Sequence, residues 1–362
     1  MSRVFIAPGK YVQGSGVIRE IGRHTSALGS KALVMGGKRA LAATQEAVRS
    51  SLGKAGMSVV VEGFRGECSK AEIKRVMGIA KKNSVDLIIA VGGGKAIDTG
   101  KAVACDMKLP VVVVPTIAAT DAPCSALAAI YADDGVFEGP KIVPHNPNCV
   151  LVDTDIIANA PVDTLVAGMG DALATFWEAD SCYKSQKPNP RTGGTPPSEA
   201  AYMLSRLCYD TLLRWGLEAK LSAERKVVTP ALEKIVEANV LLSGLGFESG
   251  GLAGAHSVCM ALDVLPAPHK RYHGEKVAFG TLVQLVMEGR SREEINEVMG
   301  FCRSVGLPTN LAALGVIAPS EGDIMKVAEG ATKEGRPIHD TWFPVTAKMV
   351  YSAIWAADAI GS

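Results

Sequence analysis

The sequence has few aromatic residues and no long apolar run. Phe, Trp and Tyr together make up 5% of its 362 residues. Apolar stretches such as residues 87–91 and 111–115 have the length of a buried strand. A membrane-spanning helix needs about 20 apolar residues. We therefore expect no membrane partner.

A surplus of charge of either sign is also missing. Lys and Arg total 38, Asp and Glu total 37, and the formal net charge is +1. Nucleic-acid-binding proteins usually carry a basic surplus that neutralises phosphates. We therefore expect a small-molecule ligand and no nucleic-acid partner.

Closely spaced cysteine pairs are absent as well. The eight cysteines are scattered, and none forms a Cys-x-x-Cys pair. In a chain of this length the pattern favours reduced, mostly buried thiols over a disulfide framework. The first residues, Met1-Ser-Arg-Val-Phe-Ile, do not resemble a signal peptide. We expect a cytoplasmic protein.

Two kinds of pattern divide the chain. Up to about residue 160, β-branched runs alternate with stretches of helical spacing, which predicts parallel βαβ units. The predicted strands are 31–35, 58–61, 86–91, 111–114 and 149–152, and the helices between them are 39–54, 69–82 and 95–107. Beyond Pro161 only helices are predicted, at 166–183, 199–215, 230–243, 252–262, 275–287, 292–305 and 346–360. We predict an α/β domain with a doubly wound, Rossmann-like parallel sheet at 1–160, an all-α domain at 161–362, and an active site in the cleft between them.

Glycines follow the third predicted strand directly. The sequence from Asp86 reads Asp-Leu-Ile-Ile-Ala-Val-Gly-Gly-Gly-Lys-Ala-Ile-Asp, and a helix is predicted to start near Lys95. Glycines let a backbone approach a pyrophosphate, and the helix N-terminus offers N–H groups to it. The alternative is a tight turn that needs only a positive φ.

A loop rich in hydroxyl groups follows the next strand. It carries Thr116, Thr120, Asp121 and Ser125 within ten residues. Ligands of open α/β sheets bind at the carboxyl ends of strands, so both loops suit a nucleotide. Ordinary turn chemistry is the alternative for these residue types.

Three of the six histidines fall within eighteen residues, namely His256, His269 and His273. Imidazoles on neighbouring helices are suitable ligands for a divalent metal, and a carboxylate often completes such a set. Asp171, among small and apolar residues, is the candidate. A hydrogen-bonded core histidine and a helix-capping aspartate remain alternatives at this point.

Five motifs in order make the chain resemble the glycerol dehydrogenases of the iron-containing alcohol dehydrogenase superfamily. The resemblance extends from Ala7-Pro-Gly-Lys-Tyr over nearly the whole chain and thins after about residue 335. The motifs begin at Gly92 (Gly-Gly-Gly-Lys-Ala-Ile-Asp), Pro115 (Pro-Thr-Ile-Ala-Ala-Thr-Asp-Ala-Pro), Gly168 (Gly-Met-Gly-Asp-Ala-Leu), Gly246 (Gly-Phe-Glu-Ser-Gly-Gly) and Tyr272 (Tyr-His-Gly-Glu-Lys).

The resemblance implies an enzyme that transfers hydride between a polyol, such as glycerol, and NAD, with zinc as the metal and iron as the alternative. It implies a homo-oligomer, an octamer in many relatives. The residues it implicates are the metal ligands Asp171, His256 and His273, which also act in catalysis and face the substrate; Asp121 and Phe247 toward the substrate; and Gly37, Gly93, Gly94, Lys95, Asp98, Thr116, Thr120, Ser125, Leu127 and Tyr131 toward the cofactor.

Two positions depart from the family pattern. Gly37 stands where relatives usually have an aspartate that binds the adenosine ribose, and Lys38 and Arg39 follow it. A carboxylate there also repels the 2′-phosphate of NADP. We therefore expect a weaker preference for NAD over NADP than is usual. The second departure is Cys259, where relatives often carry another histidine.

Two rival functions fit parts of the pattern. A dehydroquinate synthase-like cyclase shares the fold, NAD and zinc, but must grip a phosphorylated carboxylate substrate with many Arg and Lys. Only His269-Lys-Arg-Tyr supplies such groups near the predicted ligands, and the same shortage disfavours a glycerol-1-phosphate dehydrogenase. A non-catalytic nucleotide-binding sensor would have no use for an open metal site.

Overall fold

The computed structural model describes residues 2–362, which form eight strands and fourteen α-helices. The strands, in chain order, are β1 Tyr11–Gly14, β2 Lys31–Gly36, β3 Ser58–Gly63, β4 Leu87–Gly92, β5 Val111–Pro115, β6 Leu127–Tyr131, β7 Phe137–Ile142 and β8 Cys149–Asp153. The helices are α1 Ile21–Thr25, α2 Lys38–Lys54, α3 Lys70–Lys82, α4 Gly94–Met107, α5 Thr154–Asn159, α6 Val162–Ser185, α7 Glu199–Glu224, α8 Pro230–Glu237, α9 Ser243–Gly250, α10 Gly254–Leu262, α11 His273–Met287, α12 Arg292–Val305, α13 Glu321–Ala331 and α14 Ala347–Gly361.

Six strands form one parallel sheet in the order β1-β8-β5-β4-β2-β3. Its central strands β4 and β5 are buried along their whole length because helices cover a doubly wound sheet on both faces. Chain order reverses between β2 and β4, which makes this the topological switch point where such sheets bind ligands. The predicted α/β fold class is confirmed for this part of the chain.

The chain divides into two compact units. The sheet unit comprises Ala7–Pro161 and Ser222–Leu241, and the helical unit comprises 2–6, Val162–Leu221 and Leu242–Ser362. The predicted boundary near residue 160 therefore differs from this division at 222–241 and at the first residues. Glu233 explains the first difference, because its carboxylate accepts hydrogen bonds from Thr154 Oγ1 at 2.6 Å and Gln13 Nε2 at 2.8 Å, both in the sheet unit.

Several elements depart from the sequence-based prediction. The strands β6 and β7 form an antiparallel hairpin that no clear alternation marks, since β7 contains Gly139 and Pro140 and is mostly exposed. The helix predicted over 230–243 is instead α8, a π-helical turn at Ala238–Leu242 and then α9. Helix α13 and the short strand β1 were also not predicted from the sequence. Within residues 2–362, no helix has the length and hydrophobicity that a membrane crossing requires.

Glycines bring α6 and α11 into backbone contact in the helical unit. A Cβ atom on Gly170 would lie 2.3 Å from the carbonyl oxygen of Gly274, and one on Gly274 would lie 1.7 Å from the carbonyl oxygen of Ala167. Neither distance leaves room for a methyl group. The close approach places the start of α11 against the middle of α6, so residues 171 and 273 come together.

We predict that Gly274→Ala destabilises the protein by about 3 kcal/mol, because the new methyl group meets backbone atoms that cannot rotate away. The measurement is the free energy of unfolding in urea. The control is Gly300→Ala, since Gly300 lies within α12 with no atom within 4 Å of an added Cβ. That change should stabilise by about 0.5–1 kcal/mol through helix propensity. Equal effects of the two substitutions would contradict the role given to the α6–α11 contact.

Candidate functional site

Three predicted ligands converge in the helical unit. The ligand atoms of Asp171, His256 and His273 all lie within 4.8 Å of one another, and this is the one such group found in residues 2–362. Asp171 lies in the middle of α6, His256 in the first turn of α10, and His273 is the first residue of α11. His269 lies apart, in an exposed 3-10 turn at Pro268–Lys270.

Both imidazoles present the same nitrogen to the carboxylate. The Nε2 atoms of His256 and His273 are each 3.4 Å from Asp171 Oδ1. The side chain of Asp171 is 2% exposed and that of His256 11%, whereas that of His273 is 45% exposed. The cluster is therefore closed on the side of α6 and open beside His273. Three protein ligands with an open side suit a catalytic metal that also binds a substrate.

The electrostatics of the cluster favour a cation. Burial alone would raise the pKa of the Asp171 carboxyl, but the neighbouring His273 and His256 hold it well below its usual range. Burial would lower the pKa of His256, but the Glu178 and Asp171 carboxylates raise it to about 10. Two buried carboxylates thus draw positive charge to this point. A divalent cation satisfies that demand, and one oxygen with two imidazole nitrogens is a donor set that zinc and iron accept.

Glu178 is a site residue that the sequence analysis missed. Its Oε2 lies 2.5 Å from His256 Nδ1, and its Oε1 accepts hydrogen bonds from the backbone N–H groups of Ala253 and His256 at 2.8 and 2.9 Å. The side chain is fully buried. One carboxylate thus caps the start of α10 and orients the ring, leaving Nε2 for a metal. Its seven-residue spacing from Asp171 on α6, two helical turns, was the available signal.

Cys259 lies beside the second imidazole. Its Sγ is 3.5 Å from His273 Nδ1 and 3.8 Å from the backbone oxygen of the same residue. The buried thiol therefore lies beside Nδ1, whereas the other ring nitrogen, Nε2, faces Asp171. The position that departs from the family pattern is therefore adjacent to the cluster and outside it.

The predicted phosphate-binding residues meet at the switch point of the sheet unit. Gly92 ends β4 with φ +146°, and Gly93 precedes α4, where an added Cβ would lie 2.8 Å from Ile117 Cδ1. Among the described residues no side chain caps the start of α4. Its N-terminus therefore presents backbone N–H groups and the positive end of the helix dipole, which suit a pyrophosphate. Gly37 precedes α2 at the end of the adjacent β2.

A buried lysine fixes the backbone of the loop that follows β5. Lys101, 1% exposed, donates from Nζ to the backbone oxygens of Ala122 and Ser125, at 2.9 and 3.3 Å, and to that of Leu127. Asp98 pairs with Lys101 at 2.9 Å and accepts a hydrogen bond from the backbone N–H group of Ala129. Asp98 therefore lies inside the protein, between Lys101 and the backbone of the residues that follow the loop. Lys101 was not predicted, since a lysine inside a helix is usually exposed.

The remaining predicted residues are divided between the two units. Lys95 Nζ pairs with Glu67 at 2.5 Å and lies 4.8 Å from the centre of the Tyr131 ring. The buried Asp121 follows Thr120, whose hydroxyl accepts a hydrogen bond from the Ala122 N–H group. These residues belong to the sheet unit, with Thr116 at the end of β5. Phe247 belongs to the helical unit, where it is buried in α9 and its ring centre lies 5.8 Å from Arg191 Cζ.

Comparison with known proteins gives full-length matches. The sequence profile of the iron-containing alcohol dehydrogenase family matches residues 8–154. The chain is 51% identical to a glycerol dehydrogenase of Thermotoga maritima, covering 98% of this chain and 97% of that protein. It is 48% identical to a glycerol dehydrogenase of Escherichia coli O6:H1, covering 100% and 98%. A solved structure of a probable glycerol dehydrogenase from Sinorhizobium meliloti superposes with a TM-score of 0.93 at 44% identity, covering 99% of both chains.

We predict that Glu178→Gln lowers metal affinity about 10- to 100-fold, as loss of such a partner of a metal-bound histidine does. An amide nitrogen facing His256 Nδ1 would force the proton onto Nε2, and the opposite rotamer would face two backbone N–H groups with a donor. The measurement is the metal dissociation constant, determined by competition with a chelator.

The matched control is Glu288→Gln in the same unit. The Glu288 side chain is also fully buried, but it pairs with Arg290 at 2.6 Å. This change should lower the melting temperature and leave the metal dissociation constant within about two-fold. The same loss of affinity in both variants would show that Glu178 acts only through general stability.

Proposed function

We propose that this chain, which belongs to the glycerol dehydrogenases of the iron-containing alcohol dehydrogenase family, oxidises glycerol or a related vicinal diol to the hydroxyketone with NAD⁺. The observation that carries the proposal is the group of Asp171, His256 and His273, whose ligand atoms lie within 4.8 Å of one another. Relatives of about half identical sequence over the full length, named glycerol dehydrogenases, support the choice of substrate.

The three ligands would hold the metal through one carboxylate oxygen and two Nε2 atoms. When bound, the ion supplies Lewis acidity that lowers the pKa of a substrate hydroxyl. Glu178 keeps the proton of His256 on Nδ1, and the buried Asp171 supplies negative charge in a low-dielectric setting. The exposed side chain of His273 leaves the cluster accessible to a substrate hydroxyl. We propose zinc, with iron as the alternative, because this donor set suits both.

The sheet unit would hold the dinucleotide. Gly93 and Gly94 would contact a pyrophosphate at the start of α4, and Thr116 and Thr120 would offer hydroxyl groups from the next strand end. NAD supplies the hydride acceptor, and the protein's part is to orient it and exclude water. Ser125, Leu127, Tyr131, Lys95 and Gly37 would complete its contacts, while Asp98 supports the loop with Lys101. We propose Asp121 and Phe247 as the polyol contacts.

Neither rival function is favoured by these findings. A cyclase acting on a phosphorylated carboxylate needs several cationic groups at the substrate, and the open side of the cluster is formed by an imidazole. A sensor would not need the exposure of His273, which is 45%. We further propose that the protein forms a homo-oligomer, as its resemblance to the family implies. We also propose that it works in a reducing compartment such as the cytoplasm, because all eight cysteines are free thiols.

We predict that chelation abolishes NAD⁺-dependent glycerol oxidation and that zinc or iron restores it. Metal content and initial rates with glycerol, 1,2-propanediol and 2-propanol are measured after each reconstitution. His256→Ala and His273→Ala should lose both bound metal and turnover, with the circular dichroism spectrum retained. Full metal occupancy and a normal rate in either variant would contradict the ligand assignment.

The same assay tests the proposed role of Asp121. Asp121→Ala should raise the KM for glycerol about ten-fold more than the KM for 2-propanol, because only the polyol has a second hydroxyl that can donate a hydrogen bond to the carboxylate. Equal losses on both substrates would assign Asp121 to the structure of its loop.

We predict that Gly37→Asp raises the preference for NAD⁺ over NADP⁺ by at least about ten-fold. Gly37 has φ −66° and no atom within 4 Å of an added Cβ, so the substitution introduces no strain. The new carboxylate would accept hydrogen bonds from a ribose and repel a 2′-phosphate, whereas the wild type presents the exposed Lys38 and Arg39 nearby.

The measurement is the ratio of kcat/KM for the two cofactors. Gly37→Asn is the matched control, because it offers the same cap to α2 without the charge and should leave the ratio within about two-fold. A wild type already thousands-fold selective for NAD⁺, and unchanged by the aspartate, would refute the expectation that this site tolerates NADP⁺.

A further inference from the structure

Helix α7 carries an apolar stripe on its outer face. Met203, Leu207, Leu217 and Leu221 are each between 42% and 54% exposed. The buried side chains of the same helix, among them Cys208, Leu212 and Ala219, lie on the opposite face. A helix at a protein surface normally places polar residues opposite its buried face. The stripe is therefore a second apolar face, directed away from the unit that α7 belongs to.

The spacing of the stripe is that of a coiled-coil seam. With Asp210 and Arg214 included, its members are separated by 4, 3, 4, 3 and 4 residues, as the a and d positions of a heptad are. The seam from Met203 to Leu221 is about 27 Å long at 1.5 Å per residue. Its two central positions are charged and exposed. Asp210, 51% exposed, pairs through Oδ1 with Arg206 Nε of its own helix at 2.9 Å, so the Arg214 of a second copy would add to that pair. The four outer positions are apolar.

The seam is complementary to itself in one orientation only. Turned end to end about Leu212, it places Met203 opposite Leu221, Leu207 opposite Leu217, and Asp210 opposite Arg214. Two parallel copies would instead place aspartate opposite aspartate and arginine opposite arginine, which costs free energy. An isologous two-fold contact requires this reciprocal matching, in which residue i meets j and j meets i.

We propose that α7 pairs antiparallel with α7 of a second copy of this chain, through the stripe from Met203 to Leu221. The contact joins two protomers about a two-fold axis near Leu212. It covers four exposed apolar side chains per protomer and pairs the Asp210 of each copy with the Arg214 of the other. The inference is independent of the proposed activity, because it rests on exposure, spacing and charge.

Substitution within the seam tests the interface. Leu207→Glu should lower the particle mass at micromolar concentration at least two-fold, measured by sedimentation velocity, because it places a carboxylate against the Leu217 of the other copy. Ile317→Glu is the matched control, since Ile317 is 82% exposed in the same unit and should leave the mass unchanged. A monomeric wild type, or an assembly that Leu207→Glu leaves intact, would overturn the proposal.

Cross-linking tests the orientation independently of mutant stability. In the double variant Leu207→Cys with Leu217→Cys, the two positions of one helix are about 15 Å apart, too far for an intramolecular disulfide. Oxidation with oxidised glutathione should therefore give a covalent dimer, while each single variant and the wild type stay monomeric on a non-reducing gel. A dimer from Leu207→Cys alone, or no dimer from the double variant, would overturn the antiparallel register.

Discussion

Asp171 and Glu178 place two carboxylates on one face of α6, and both are buried in the helical unit. Buried negative charge is costly unless donors or cations surround it. His256 lies between the two, with Nδ1 at 2.5 Å from Glu178 and Nε2 at 3.4 Å from Asp171. The start of α10 directs two N–H groups at Glu178. The contacts of α10 and α11 with α6 meet this requirement and bring Asp171, His256 and His273 together.

Close backbone contact makes that arrangement possible. At Gly170 and Gly274 no side chain separates α6 from α11, so His273 reaches the carboxylate of Asp171 from the first residue of its helix. A single methyl group would push the helices apart by more than the tolerance of a metal–ligand bond. The packing of the two helices and the position of His273 beside Asp171 therefore depend on the same two glycines.

In the sheet unit, a buried ion pair fixes the backbone of the loop that follows β5. Lys101 is buried and directs its ammonium group to the backbone oxygens of Ala122, Ser125 and Leu127. With Asp98 beside it, the charge is paired inside the protein and not at the ligand. The loop can thus offer hydroxyl groups at the surface while its backbone is fixed from within. This is consistent with a site that binds a dinucleotide in one orientation.

Sequence alone determined the fold class, the family and the choice of Asp171, His256 and His273 as candidate ligands, because periodicity and motif order are properties of the chain itself. The alternation of buried strands and helices predicts a parallel sheet wherever it occurs, and Asp171, His256 and His273 stand in recognisable motifs. The assignment of 222–241 to the sheet unit depended on contacts of Glu233 with residues far away in sequence. The roles of Glu178 and Lys101 likewise required tertiary structure, since burial decides whether a charged side chain is solvated or organises its surroundings. Sequence periodicity predicts which face of a helix is apolar, but only the tertiary packing determines which polar side chain is buried.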